Sequence, residues 1–264
     1  MPAYSYVLGD SATMIRRNLL HMRRYPSLSL FVAGLPVVFL LLFVYVFGGA
    51  IGAGLAGPSG GREAYIAYVM PGILLMTVAG AATGTAIQIA MDMSEGIVAR
   101  FRTMSISRTS VLVGHLVGSL IQVALAVVIV LAVAAVIGFR PTTGPLSWLA
   151  AAGLLMLTAF ATTWLSVGLG LAAGSVETAS NSPMFLSLLP FLGSGFVPTE
   201  TMPGPLRVFA ENQPFTPIME TLRGLLLGTP IGTSGGLAVG WCVAISLMGF
   251  VWARRLYERD PERR

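Results

Sequence analysis

Residues Thr109–Phe139 read TSVLVGHLVGSLIQVALAVVIVLAVAAVIGF, a run without one Asp, Glu, Lys or Arg. A helix needs ~20 mainly apolar residues to cross a hydrocarbon core about 30 Å thick, and this run exceeds that. Five further uncharged runs do the same: Tyr25–Gly61, Ala64–Met91, Pro141–Val176, Thr178–Thr199 and Gly224–Ala253. Together they predict an all-α polytopic membrane protein with six transmembrane helices. The composition agrees. The 264 residues are 55% hydrophobic and only 10% charged, with mean hydropathy +0.80, whereas a soluble domain carries ~25% charged residues.

The remaining charges predict the orientation. All sixteen basic residues are arginine, and lysine is absent. Arg16, Arg17, Arg23 and Arg24 precede span one. Arg100, Arg102 and Arg108 lie between spans two and three, and Arg254, Arg255, Arg259, Arg263 and Arg264 follow span six. Only Arg62, Arg140, Arg207 and Arg223 fall on the other side. Twelve against four places both termini in the cytoplasm by the positive-inside rule. The net charge of +5 therefore reads as an orientation signal suited to anionic headgroups. Nucleic-acid binding is a poor reading, because it needs basic residues gathered on one soluble face. Without lysine there is no Walker-A loop, no kinase strand lysine and no Schiff-base chemistry. Codon usage in a GC-rich genome is the commoner cause of such a bias.

Outward from Thr109 in both directions, the connections carry the rest of the information. Leu8, Ala12, Ile15, Leu19 and Met22 recur at helical spacing. They predict an amphipathic interfacial helix with Arg16, Arg17, Arg23 and Arg24 off the apolar stripe, ended by Pro26. Span one is read as Leu28–Gly49, stopping at Phe47-Gly48-Gly49, and span two as Ala64–Met91, with a kink at Met70-Pro71-Gly72. Its Thr77, Thr83, Thr85 and Gln88 either line a pathway or bond backbone and neighbours, the second being commoner. Spans three, four and five are read as Val111–Phe139, Leu146–Ala173 and Ser180–Val197, the last broken by Pro183 and Pro190. Pairs such as Gly80/Gly84, Gly114/Gly118 and Gly170/Gly174 permit close helix contact, although 31 glycines produce such pairs by chance. The segment 198–228 is unusual for its prolines and charges. It predicts two short helices that dip back toward the membrane, with Glu220 and Arg223 paired on one face. No cleavable signal peptide is expected, since the first apolar run follows four arginines and is too long for an h-region. Cys242 reads as a packing residue.

No catalytic constellation is visible. His21 and His115 stand far apart, and there is no HExxH, CxxC or GxSxG. Asp92, Glu95 and Glu177 lie at cytoplasmic edges, so no carboxylate sits at mid-membrane, where proton- and ion-coupled carriers keep their relays. What stays open is a passive pore, a translocator driven by another chain's ATP, a non-transporting assembly or scaffold protein, or an intramembrane enzyme with no visible site.

Several strings, in order and at matching spacing, resemble the ABC type-2 permeases, in the branch of the daunorubicin-resistance permeases. They are Phe39–Gly49, Tyr65-Ile66-Ala67-Tyr68-Val69-Met70-Pro71-Gly72, Glu95–Met104, Gly138-Phe139-Arg140-Pro141, Phe196-Val197-Pro198 through Pro203, Asn212-Gln213-Pro214-Phe215-Thr216-Pro217 and Leu222-Arg223-Gly224-Leu225. The resemblance implies residues 1–26 as a cytoplasmic connecting helix and 27–264 as a six-span domain of the bacterial cell membrane. Within it, 92–108 is the coupling loop, 198–228 an outer re-entrant segment containing Asn212, Pro214, Glu220 and Arg223, and 254–264 a cytoplasmic tail. It implies a second permease copy, expected as a homodimer, and two cytosolic ATPase subunits that hold the ATP and magnesium. This chain itself is expected to bind no cofactor or metal. Glu95, Gly96, Arg100, Phe101, Arg102 and Glu177 would contact the ATPase, Phe101 as an apolar anchor that topology alone does not require. Ser105-Ile106-Ser107 departs from the leucine-proline-like turn of the family. Cargo would be lipophilic or amphipathic (drug, antibiotic or lipid) and would leave the cell by alternating access; within the family the alternative is a lipid or glycan exporter. Met76, Thr77, Phe185 and Leu189 are placed on the pathway walls, although helix packing is the commoner role of such residues.

Overall fold

A computed structural model describes residues 26–56, 61–94 and 108–258, with side chains over 32–52, 61–94 and 113–257. Helix α1 (Pro26–Leu42) runs through a π-helical turn, Phe43–Phe47, into α2 (Gly48–Ala56). Three long helices follow, α3 (Gly61–Ser94), α4 (Arg108–Val136) and α5 (Pro145–Ala172). Then come the short α6 (Val176–Asn181) and α7 (Met184–Leu188), a 3-10 turn at Thr199–Thr201, α8 (Gly204–Asn212), α9 (Phe215–Leu227) and α10 (Ser234–Glu258). The expected all-α class is observed: among the described residues all regular structure is helical. A bilayer offers the backbone no water, so each span must satisfy its own N–H and C=O groups.

Five stretches among the described residues are long and apolar enough to cross: Val32–Gly52, Gly61–Ser94, Val113–Val136, Pro145–Ala172 and Ser234–Tyr257. The chain is a multi-pass membrane protein. One predicted boundary shifts. Gly48-Gly49 does not end span one, because stopping a helix in hydrocarbon exposes more backbone than two glycines cost in propensity. Gly224 belongs to α9, and the final crossing starts at Ser234. The expected span Ser180–Val197 is not one helix, and it is not among the five stretches above.

Helix α3 is the axis of the bundle. Its apolar window is 78% buried and that of α5 72%, against 22% to 33% for the other three. α3 continues unbroken through Pro71 and packs on α1, α2, α4, α5, α6 and α9. One end of the bundle carries Tyr65 with the starts of α5 and α10; the other carries Asp92 with the end of α5. Close approach is made where glycine removes a side chain. A Cβ on Gly170 would lie 2.7 Å from Ala86 O, and one on Gly249 2.7 Å from Leu165 N. Gly80 and Gly84 of the predicted motif have nothing within 4 Å. Polar bridges are sparse: Ser119 to Thr163 at 3.1 Å, and Thr158 to the buried Cys242 at 3.5 Å.

Candidate functional site: a broken span and its polar cradle

Pro183 and Pro190 each remove a backbone donor and clash with the carbonyl four residues back. The chain from Val176 to Val197 therefore breaks into α6, α7 and irregular turns from Leu189 to Phe196. It nevertheless runs alongside part of α3. It begins just after Gly170, which faces Ala86 and Ile89, and it ends with Gly195 against Gly72 and Phe196 beside Tyr65. From Ala86 to Gly72 is about 21 Å at 1.5 Å per residue, some two thirds of a hydrocarbon core.

Non-helical backbone at that depth must find donors in protein, and here it finds them on neighbouring elements. Gln213, buried between α8 and α9, donates from Nε2 to Leu189 O at 2.9 Å. Arg223 on α9 donates from Nη2 to Ser194 O at 2.7 Å and to Tyr68 O at 3.3 Å. Its guanidinium also lies over the Tyr68 ring, 4.1 Å from the centroid. The Tyr65 hydroxyl points at Phe196 O, 3.5 Å away. Aromatic rings fix the other side. Phe196 stacks on Phe191 at 4.6 Å and meets Phe43 at 4.7 Å, where α1 widens into its π-helical turn, a form that concentrates at functional positions.

The cradle is capped in turn by the α4–α5 connection. Helix α4 ends at Val136 and the chain turns at Gly138 (φ +110°), with Phe139 N–H bonded to Ala134 O at 2.8 Å and Arg140 Nη1 covering Ala135 O at 2.8 Å. That stop presents Thr142 and Thr143 to the last carbonyls of α9, which have no partner within the helix. Thr142 Oγ1 donates to Leu227 O at 2.9 Å and Thr143 Oγ1 to Leu225 O at 2.7 Å. Thr143→Val keeps the shape and loses the donor, so it is expected to cost about 1–2 kcal/mol. Thermal unfolding of the purified protein checks this; a Tm equal to that of wild type would mean that the cap contributes nothing.

The sequence-predicted residues fall as follows. Glu220 and Arg223 share α9 but do not pair, which corrects the expected ion pair. Arg223 turns to carbonyls and a ring, while Glu220 Oε2 accepts from Ser234 at 2.7 Å. Asn212 Nδ2 caps Val208 O at 2.8 Å, and Pro214 opens α9. The two short helices expected within 198–228 are present as α8 and α9. Met76 and Thr77 are buried inside the chain, with the Thr77 hydroxyl donated to Ile73 O. Phe185 is exposed and Leu189 half-buried, both on the broken stretch. Glu177 sits in the first turn of α6, which Ser175 caps by accepting from Thr178 N at 3.1 Å. Its own backbone N–H and the Ser175 hydroxyl hold the Glu177 carboxyl below the usual carboxylate range. Glu95, Gly96, Arg100, Phe101, Arg102, Arg16, Arg17, Arg23 and Arg24 lie outside the described residues.

Sequence reasoning gave no role to Tyr65, Tyr68, Gln213, Thr142 or Thr143. The available signal was the pair of prolines inside an apolar run, since freed carbonyls there require donors somewhere. It also left His115 and Asp92 apart; the structure sets His115 Nε2 3.2 Å from Asp92 Oδ2, joining α4 to α3.

Irregular backbone held among long apolar helices is a feature that membrane transporters and channels tolerate. Residues 11–227 match the family model described as ABC-2 type transporter, and the chain belongs to that family. It is accordingly an ABC transporter permease, and membership implies an ATPase subunit as its partner. It is 27% identical over 248 residues to the "Daunorubicin resistance ABC transporter permease protein DrrB1" of Streptomyces coeruleorubidus, covering 94% of this chain and 84% of that protein. It is also 22% identical over 163 residues to the "Probable doxorubicin resistance ABC transporter permease protein DrrC" of Mycobacterium tuberculosis, covering 62% of this chain and 59% of that one.

Proposed function

We propose that the chain is the permease of an exporter that moves a lipophilic or amphipathic compound out of the cell by alternating access, driven by ATP hydrolysis on a separate subunit. The observation that carries this reading is the face of the broken span. Met184, Phe185, Leu188, Leu192 and Val197 are exposed there beside irregular backbone. Lipid does not cover such backbone in hydrocarbon, whereas protein or a transport cavity does. A second copy of the chain facing this surface encloses an uncharged space between two broken spans. Phe185 and Leu189 line it, with Met76 and Thr77 one layer behind. Apolar walls favour lipophilic or amphipathic cargo, and the relative from Streptomyces is named for resistance to a drug. The permease contributes different affinities for cargo in its two states, without which ATP could shift nothing.

In this reading both termini are cytoplasmic. Residues 1–26 lie on the membrane as the connecting helix, and the loop 92–108 docks on the ATPase, which holds the ATP and magnesium. Glu177, kept ionised on its capped turn, supplies a second and smaller contact. His115 and Asp92 pin the two helices that frame the loop, so that a push on it reaches α3, the axis of the bundle.

Co-purification with the ATPase, followed by ATP turnover in reconstituted vesicles, tests the proposal. The double change Phe101→Asp with Arg102→Glu removes an anchor and reverses a charge. It is expected to weaken association by about 2 kcal/mol, roughly thirty-fold. Unchanged co-purification and turnover would overturn the docking assignment. Failure of any ATPase to stimulate transport of lipophilic dyes would overturn the exporter reading.

A further inference from the structure

Away from the broken span, α10 and α5 enclose an apolar groove of about 620 Å³ on the outer surface of the bundle. Its lining is Leu165 from α5 with Leu247, Met248, Val251, Trp252 and Arg255 from α10. The α10 residues recur at helical spacing and form one stripe. Its floor is set by glycine: a Cβ on Gly168 would lie 2.5 Å from the Trp252 ring, so the indole packs directly against α5 there. Leu247, Met248 and Val251 are exposed. Arg255 stands exposed at the membrane-edge end of the stripe, with no carboxylate or hydrogen-bond partner among the described residues.

We infer that this groove holds one anionic phospholipid, with an acyl chain along Leu247, Met248 and Val251 and its phosphate on Arg255. Length, polarity and charge agree. From Leu247 to Arg255 is about 12 Å along the helix, close to the ~15 Å of one leaflet's hydrocarbon. Trp252 stands next to the charged end, the level at which aromatic side chains meet headgroups. The single charge in the lining is positive and complements a phosphate. A second copy of the chain is a poor occupant. A two-fold axis along the membrane normal brings each residue to its own counterpart at equal depth, which would set Arg255 against Arg255. The orientation proposed above decides only the leaflet; with the C-terminus cytoplasmic it is the inner one.

Native mass spectrometry of the purified full-length protein, offered phosphatidylglycerol or phosphatidylcholine at equal concentration, tests the inference. One phosphatidylglycerol per chain is expected to be retained, roughly five-fold over phosphatidylcholine, the factor that one arginine near a headgroup supplies. Arg255→Gln is expected to abolish the preference and Arg255→Lys to keep it. Met248→Trp, which fills the groove, should lower retention of both lipids, and Arg207→Gln, at the opposite edge, should change nothing. Equal retention of the two lipids by wild type, or a preference that survives Arg255→Gln, overturns the site. High-yield cross-linking between two copies through Met248→Cys overturns it as well, in favour of a protein interface. The measurement is made in detergent without the ATPase, so its failure leaves the exporter reading standing, and failure of that reading leaves the groove.

Discussion

Arg223→Leu is expected to be among the most damaging single changes in the chain. It removes the donor to Ser194 O and the cation over Tyr68, and it leaves the carbonyl of an irregular turn without a partner away from water. A hydrogen bond to a charged group contributes about 1.5–3 kcal/mol and a desolvated cation–π contact about 2 kcal/mol. The combined loss of roughly 4 kcal/mol is a large share of the 5–15 kcal/mol that holds a typical protein folded. Tm in detergent should fall by about 10 °C, and less protein should accumulate in the membrane. Arg223→Lys keeps the charge without the planar fork and should fall between the two. Arg207→Leu is the control: that arginine is nearly half exposed and bonded to Glu211, 2.6 Å away on the same helix, a solvent-screened pair that contributes little. If Arg223→Leu matches Arg207→Leu in Tm, the cradle does not hold the broken span.

The second large effect comes with a reversal of sign. Gly72→Ala and Gly80→Ala make the same change on the same helix. A Cβ on Gly72 would lie 2.9 Å from Gly195 O and 3.0 Å from Gly195 Cα. These are backbone atoms, which cannot step aside as a side chain can. The clash is expected to cost about 1–3 kcal/mol and to push the broken span off α3. Gly80 has nothing within 4 Å of such a Cβ, so alanine there should stabilise by up to about 1 kcal/mol through helix propensity. Parallel melts of the two variants decide the matter; equal shifts would mean that the Gly72–Gly195 approach is not close.

These two predictions also mark where the sequence stops being legible. The long helices could be read from Thr109–Phe139 and its counterparts because a bilayer imposes one criterion, an uncharged run of sufficient length, that needs no knowledge of neighbours. Pro183 and Pro190 announced a break for an equally local reason. The destination of the freed carbonyls was hidden, because each donor lies far off in the chain: Arg223 is 29 residues from Ser194 and Gln213 is 24 from Leu189. Spacing rules see only i to i+4, and so they paired Arg223 with Glu220, the one charged neighbour within that window. Thr77 was ambiguous for a related reason. A hydroxyl in an apolar helix serves equally to bond its own backbone or to face a cavity, and only the packing around it separates the two.

The placement of these donors has a consequence for synthesis. Gln213 and Arg223 leave the ribosome after the stretch whose carbonyls they serve. At 5–20 residues per second the interval from Phe196 to Arg223 lasts roughly one to five seconds. Throughout that interval the half-made chain carries an apolar segment that belongs in the bilayer yet has no means of settling there. Something must shelter it, either the insertion channel or an insertase, until α9 arrives to complete the structure.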